Sequence, residues 1–203
     1  MNKQKGLFVT IDGPNGSGKS TIVSAVAEQM VRQGQDVLKT KEPTVSSLGD
    51  FIRNAEGQYG RLTLALLVAA DRQFHVEVEI LPSVASGKIV ISDRYIESSF
   101  VLQSLDGLSF EEIWFLNNNF PVPDLSVIVT ASPQTLDRRL AERARHSRFE
   151  KTKSREDELT LYLQAADFLK GHGFNVVIVE NDTTDLEQNA RKIAQMILSL
   201  IPR

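Results

Sequence analysis

Gly13-Pro14-Asn15-Gly16-Ser17-Gly18-Lys19-Ser20 is the stretch that decides the fold. An apolar run, Leu7-Phe8-Val9-Thr10-Ile11-Asp12, leads into it, and a helix-like segment from Thr21 to Gln33 follows. Strand, glycine-rich loop and helix form the setting that the G-x-x-x-x-G-K-[ST] pattern requires. The glycines let the loop curl so that backbone N–H groups point inward. The helix behind adds unpaired N–H groups and a positive dipole end. Lys19 then reaches the β- and γ-phosphates of a nucleoside triphosphate, and the Ser20 hydroxyl is a ligand for Mg²⁺. The expected triphosphate cradle is Gly13, Pro14, Asn15, Gly16, Ser17, Gly18, Lys19, Ser20 and Thr21. By itself the loop leaves ATPase, GTPase, kinase and mechanical motor open.

Length and composition narrow this. A chain of 203 residues with 41% hydrophobic content predicts one soluble globular domain, residues 1–203. The 23 basic and 26 acidic residues give a net charge of -3, which argues against a nucleic-acid polymer as partner. There is no cysteine, so disulfides and cysteine metal sites are excluded. Met1 to Gly6 is short and polar, and the apolar run after it is too short for a signal-peptide core. No stretch approaches the roughly 18 apolar residues of a membrane span. A cytoplasmic enzyme without membrane contact is the simplest fit.

The rest of the chain alternates strand and helix. Asp36–Thr40, Lys88–Ser92, Leu125–Val129 and Phe174–Val179 read as further strands. Ile22, Val26, Met30 and Val31 give the first helix its apolar face. A long helix runs from Arg61 to about Ser86, with Leu64, Leu67, Val68, Asp71, Arg72, His75, Val78 and Leu81 recurring at spacings of three and four. Pro82 is expected to kink or end it. A helix over Glu158 to Leu169 would use Leu159, Tyr162, Leu163 and Phe168, and Leu186 to Leu200 closes the chain as another. The fold class is α/β: a P-loop three-layer α/β/α domain with a five-stranded parallel sheet and a short lid over about residues 142–154.

Chemistry-bearing residues cluster where strands end. Lys41 leaves the second strand as an anion contact or as a solvent-facing lysine. Asp71 and Arg72 interrupt an apolar neighbourhood, either as a local ion pair or as groups aimed into a cleft. His75 reads as an ordinary satisfied core histidine. Ile89-Val90-Ile91 delivers Asp93-Arg94 at a strand's carboxyl end. Beside a phosphate loop, that carboxylate suits Mg²⁺ and the guanidinium suits a phosphoryl group, with a structural ion pair as the alternative. Ser98, Ser99 and Gln103 follow as groups that would read a base edge or merely cap a helix. Arg138, Arg139, Arg143, Arg145 and Arg148 suit a flap over a triphosphate better than a basic arm in an acidic chain. No N-K-x-D stretch is present to read guanine.

With these motifs in this order, the chain resembles the thymidylate kinases of the nucleoside monophosphate kinase group. The resemblance is carried by Phe8 to Gly13, Leu66 to Arg72, Ile91-Ser92-Asp93-Arg94-Tyr95, Ser98-Ser99, Gln103 and Pro123-Asp124-Leu125. It implies transfer of the terminal phosphoryl group of ATP to thymidine monophosphate with Mg²⁺, and a homodimer paired through the long helix. By resemblance, Lys19, Asp93, Arg94 and the lid's Arg148 are catalytic, with Ser20 and Asp93 holding the metal. Asp12, Lys41, Val68, Arg72, Arg94, Ser98, Ser99, Leu102 and Gln103 bind the acceptor. Backbone near Asn181 to Thr183 lies on the adenine side. Several positions depart from the family pattern. Asn15 stands where an acid is usual, and Val68 and Leu102 stand where aromatics are common. Lys41 replaces an arginine, and Ser147 replaces the first acid of the lid. Two other readings therefore stay open: a related kinase for a different nucleotide or a modified pyrimidine, and a non-catalytic nucleotide-binding regulator.

Overall fold

The computed structural model describes residues 6–55, 58–142, 154–182 and 186–201. Five parallel strands form one sheet in the order β2-β3-β1-β4-β5: β1 Leu7–Asp12, β2 Val37–Lys41, β3 Ile89–Asp93, β4 Leu125–Thr130 and β5 Val176–Glu180. β1 is central, pairing Val9 with Ile91 on one side and with Leu125 on the other. Its six residues are all buried, as expected of a strand covered on both faces.

The pleat of β1 sorts its side chains. Leu7, Val9 and Ile11 pack with Ile22, Val26 and Met30 of α1 (Lys19–Arg32) and with Ile193 and Ile197 of the C-terminal helix (Leu186–Leu200). Phe8 faces the opposite layer, with Tyr95, Phe100, Tyr162 and Leu169. Thr10 and Asp12 share Phe8's parity, so two polar side chains are buried on that side of the central strand.

Between the strands lie α2 (Ser47–Ala55), α3 (Arg61–His75), a π-helical turn (Val76–Ile80), α4 (Leu81–Ala85), α5 (Ile96–Leu105), α6 (Phe110–Asn117), α7 (Pro133–Ala141) and α8 (Arg155–Gly171). Ser109, Ser132 and Ser154 cap α6, α7 and α8 with their hydroxyls.

The expected five-stranded parallel sheet is present, but three helix faces differ from their sequence reading. Val31 and Leu163 are exposed, and Val23 of α1 and Ala165, Ala166 and Leu169 of α8 are buried instead. On the long helix, Val78 and Leu81 are exposed, and Val76 and Ile80 are buried. The π turn carries an extra residue and rotates the buried stripe away from a strict 3.6 period. Pro82 neither ends nor breaks this rod. It lies in the first turn of α4, directly after the π turn.

Candidate active site

The loop between β1 and α1 opens at the carboxyl edge of the sheet, where the strand order turns about β1. Gly13 has φ 148, and a Cβ there would lie 2.1 Å from the Val129 carbonyl oxygen. Gly18 caps α1 in the left-handed region, at φ 89. The loop's outward carbonyls are tied down from behind. Asn181 Nδ2 donates to Ser17 O at 2.7 Å. Arg139 Nη1 donates to Gly16 O and Ser17 O at 3.3 Å, while its Nη2 donates to Asn181 O at 2.8 Å. Anchored this way, the loop leaves its inner N–H groups for an anion.

Lys19 is buried, with Nζ donating to Asn15 Oδ1 at 3.3 Å and to Pro14 O at 3.4 Å. Burial, then the nearby Arg94 charge, lowers its ammonium to about 7. Ser20 donates to Asp93 Oδ2 at 2.5 Å, while Asp93 Oδ1 is buried without a hydrogen-bond partner among the described residues. A hydroxyl and a half-satisfied carboxylate side by side are hard oxygen donors, so Ser20 and Asp93 fit Mg²⁺.

Arg94 adopts φ 80, a left-handed conformation that costs a non-glycine residue about 1–3 kcal/mol. Five contacts hold it there. Its N–H donates to Ile11 O at 3.1 Å, and its carbonyl accepts from Ser92 Oγ at 2.7 Å. Nη1 donates to Ser98 Oγ at 2.9 Å and lies 3.6 Å from Asp12 Oδ1, and Nη2 donates to Asn15 Oδ1 at 2.6 Å. Burial would depress the guanidinium, but Tyr162, Asp12 and Asp93 outweigh it and keep it firmly charged.

Two cavities meet at Arg94. One, of about 290 Å³, is polar and lined by Gly18, Lys19, Ser20, Thr21, Lys41 and Arg53. The other, of about 250 Å³, is mainly apolar, with Ile52, Leu64, Val68 and Leu102 around Arg72, Ser99 and Gln103. Asn15, Glu42, Pro43 and Arg94 line both. Arg72 is buried and held by Glu42 (Nε to Oε2, 2.9 Å), Asn117, Tyr95 O (3.0 Å) and Ser99 Oγ (3.1 Å). Gln103 Oε1 is buried with no partner among the described residues. Ser98 bridges Arg94 to Asp12, donating to Asp12 Oδ1 at 2.7 Å.

The structure thus brings Lys19, Ser20, Thr21, Lys41, Asp93 and Arg94 to one cavity and Val68, Arg72, Ser98, Ser99, Leu102 and Gln103 to the other. Asp12 lines neither. Its carboxylate accepts from Gly13 N (2.8 Å), Ser98 N (2.9 Å), Ser98 Oγ, Tyr95 N (3.2 Å) and Tyr162 Oη (3.0 Å). It sits behind the cleft because β1's pleat turns it toward α5 and α8. Arg148, Ser147 and residues 143–153 of the expected lid lie outside the described residues, as does Thr183.

Sequence reading missed Arg53 and Glu158. Arg53 lines the polar cavity from the last turn of α2, with Nη1 donating to Pro43 O at 2.6 Å. Glu158, buried on α8, lies 2.8 Å from Arg155 Nη1 and accepts from Asn15 N at 3.4 Å. The signal for Arg53 was a lone arginine on a short amphipathic helix just after the Lys41-Glu42-Pro43 turn. For Glu158 there was none, since it meets Asn15 only through the fold.

A phosphate loop on a parallel sheet, with a polar and an apolar chamber sharing one arginine, defines a P-loop phosphotransferase built for two substrates. A family model described as thymidylate kinase matches residues 11–193. A probable thymidylate kinase of Pyrococcus abyssi is 38% identical over 175 residues, covering 82% of this chain and 85% of that protein. One of Pyrobaculum aerophilum is 33% identical over 199 residues, 97% and 96% of the two chains. A thymidylate kinase of Shouchella clausii is 38% identical over 140 residues, 64% and 66% of the two chains. The chain belongs to the thymidylate kinase family and is a nucleoside monophosphate kinase. The reaction this implies is ATP-dependent phosphorylation of thymidine monophosphate to thymidine diphosphate.

Proposed function

We propose that this chain seats ATP in the polar cavity and thymidine monophosphate in the apolar one. The observation that carries this is the sharing of Asn15 and Arg94 by the two chambers. A phosphoryl group in flight between two nucleotides needs charge neutralisation and in-line placement. Lys19 and the loop N–H groups hold the donor's β- and γ-phosphates. Arg94, with Lys41 and Arg53 beside it, holds the acceptor phosphate against the γ-phosphorus. An acceptor oxygen forms the new P–O bond as the bond to the β-phosphate oxygen breaks and ADP leaves. The acceptor is already an anion, so no strong base is required. Ser20 and Asp93 would hold Mg²⁺, which offsets negative charge on the donor phosphates. Arg148 belongs to this proposal through the Ser147-Arg148-Phe149-Glu150 match alone.

Base choice follows from three side chains. Gln103 lines the apolar cavity, and its Oε1 is a buried acceptor without a partner among the described residues. Thymine and uracil offer it an N3–H, whereas cytosine presents a lone pair there. Val68 and Leu102 supply apolar area without aromatic stacking, and this favours a second reading, tolerance of a modified pyrimidine. A homodimer paired through α3 and a cytoplasmic location complete the proposal. They are supported by family membership and, for the dimer, by an exposed apolar stripe on that helix.

The test is an acceptor panel with ATP and Mg²⁺: thymidine, deoxyuridine, deoxycytidine and purine monophosphates, with ATP hydrolysis in the absence of acceptor as control. Diphosphate formation from thymidine monophosphate, with deoxycytidine monophosphate poor, is the expected result. Transfer only to another acceptor would reject the specificity. ATP binding with no transfer to any acceptor would make the chain a regulator.

A further inference from the structure

Arg72 faces the apolar cavity, and one of the groups that hold it is itself held from outside that cavity. Nε and Nη2 lie 2.9 and 2.8 Å from Glu42 Oε2. The other oxygen of the same carboxylate, Oε1, lies 3.1 Å from His75 Nδ1. Both side chains of this second contact are almost wholly buried, at 1% and 5% exposure. The far ring nitrogen, Nε2, lies 2.7 Å from Thr40 Oγ1 and 3.1 Å from Glu79 Oε2. Thr40 Oγ1 in turn donates to Glu79 Oε2 at 2.5 Å. A continuous polar chain therefore runs from half-exposed Glu79 inward through His75 and Glu42 to Arg72.

We propose that His75 is a positioning residue for the acceptor: it clamps Glu42 through an Nδ1–H, and Glu42 aims Arg72 into the apolar cavity. This rests on the reading of that cavity as the acceptor site. A carboxylate whose other oxygen faces a guanidinium is an acceptor only, so the ring nitrogen opposite Oε1 must carry a hydrogen. Glu42 Oε2 is held by Arg72 Nε and Nη2 together, so a shift of its carboxylate moves Arg72, which lines the apolar cavity alone. Removing the Nδ1 donor would leave a buried carboxylate oxygen without its partner, and the carboxylate would turn to find another. Misplacement of a substrate-facing group weakens the contacts it makes to that substrate and shows in its KM. The residue sits at the last position of α3, immediately before the π turn, and that turn also brings Glu79 to Nε2. Such turns recur at functional sites.

The geometry separates two conservative variants. In His75→Asn the side-chain amide nitrogen replaces Nδ1 and keeps the donor to Glu42. In His75→Gln the amide nitrogen replaces Nε2, which keeps the outer contacts and loses the inner one. The expected result is a roughly tenfold rise in KM for thymidine monophosphate with Gln and less than about threefold with Asn. KM for ATP and kcat are expected to stay within about twofold for both. Equal effects of Asn and Gln, or parallel movement of the ATP KM, would overturn the proposal, because a merely structural histidine would act that way. A second measurement needs no variant and no acceptor. Nitrogen NMR of the wild-type imidazole is expected to show a hydrogen on His75 Nδ1. A lone pair on Nδ1 would overturn the clamp even if the acceptor panel succeeds, and the hydrogen would be seen even if thymidine monophosphate proved the wrong acceptor.

Discussion

Arg94 Nη2 donates to Asn15 Oδ1 at 2.6 Å, and Lys19 Nζ reaches the same oxygen at 3.3 Å. One neutral amide oxygen thus accepts from a side chain just after β3 and another at the start of α1, at the junction of the two cavities. A charge-assisted hydrogen bond of this kind contributes about 1.5–3 kcal/mol, and here it helps hold Arg94 at φ 80. Asn15→Ala is expected to lower kcat/KM for thymidine monophosphate roughly 10- to 100-fold, because Arg94 loses its aim. The thermal midpoint should fall by roughly 3–12 °C, the shift that about 1.5–3 kcal/mol gives in a chain of this size. Steady-state kinetics and thermal melting check both parts. Unchanged kcat/KM would show that Ser98 and the backbone contacts suffice to place Arg94.

Lys19 gives a proton-linked prediction. Burial and Arg94 depress its ammonium from 10.5 to about 7 in the ligand-free protein. Triphosphate oxygens beside Nζ favour the charged form, so binding raises that value and draws a proton. The sign is therefore uptake at pH 8, where the free side chain is mostly neutral. Titration calorimetry with MgATP in two buffers of different ionisation enthalpy should show uptake of up to one proton. The uptake should fade below pH 6, where Lys19 is already charged, and vanish in Lys19→Ala, which should also lose transfer. Buffer-independent heats at pH 8, or wild-type turnover in Lys19→Ala, would contradict the role given to this lysine.

Glu97 gives a stability prediction. It is fully buried, and its Oε1 accepts from Thr10 Oγ1 at 2.6 Å and from Ser126 Oγ. Oε2 has no partner among the described residues. Burial, then repulsion from Asp12, raises its carboxyl from 4.5 to about 7. The folded state therefore holds this proton after the unfolded chain has released it. Stability contributed by the bound proton is intact below about pH 4.5 and is lost as pH rises toward 7. The full loss is on the order of 3 kcal/mol at pH 8. Glu97→Gln keeps an acceptor for Thr10 and Ser126 and cannot ionise. Its urea-unfolding free energy relative to wild type should become more favourable between pH 5 and pH 8 by an amount of that order. Parallel curves would mean that Glu97 ionises in place without penalty.

What the sequence made legible is what is local. Strand, loop and helix around Gly13–Ser20 lie within one short stretch, so residue order alone reveals the cradle. Asp93 and Arg94 were legible because a buried strand must deliver its last residues to the sheet's edge. The Glu97 cluster was not, because Thr10 and Ser126 come to it from strands 87 and 29 residues away along the chain. Asp12 was expected as an acceptor contact through the family resemblance, but strand parity turns it toward Ser98 and Tyr162. Val78 and Leu81 were misplaced because a 3.6 period was carried through a turn that is π-helical. Arg53 and His75 owe their importance to neighbours that only the folded chain supplies.

Leu62, Leu66, Phe74, Val78 and Leu81 are each 43–55% exposed and recur at helical spacing along α3, the π turn and α4. Their opposite face carries Arg72 to the apolar cavity and His75 to Glu42. A contiguous apolar stripe of this kind on a helix is the mark of a covered surface. Two copies related by a two-fold axis would cover it with the same residues from each side. A homodimer paired this way would stiffen the helix that holds Arg72. Leu66→Glu places a charge in the middle of the stripe without touching either cavity, since Leu66 lines neither. Light scattering on a sizing column is expected to show a dimer for wild type and a monomer for Leu66→Glu at micromolar concentration. KM for thymidine monophosphate should rise in the monomer while KM for ATP changes less, because only α3 loses its support. A dimeric Leu66→Glu, or a monomeric wild type, would remove α3 as the interface.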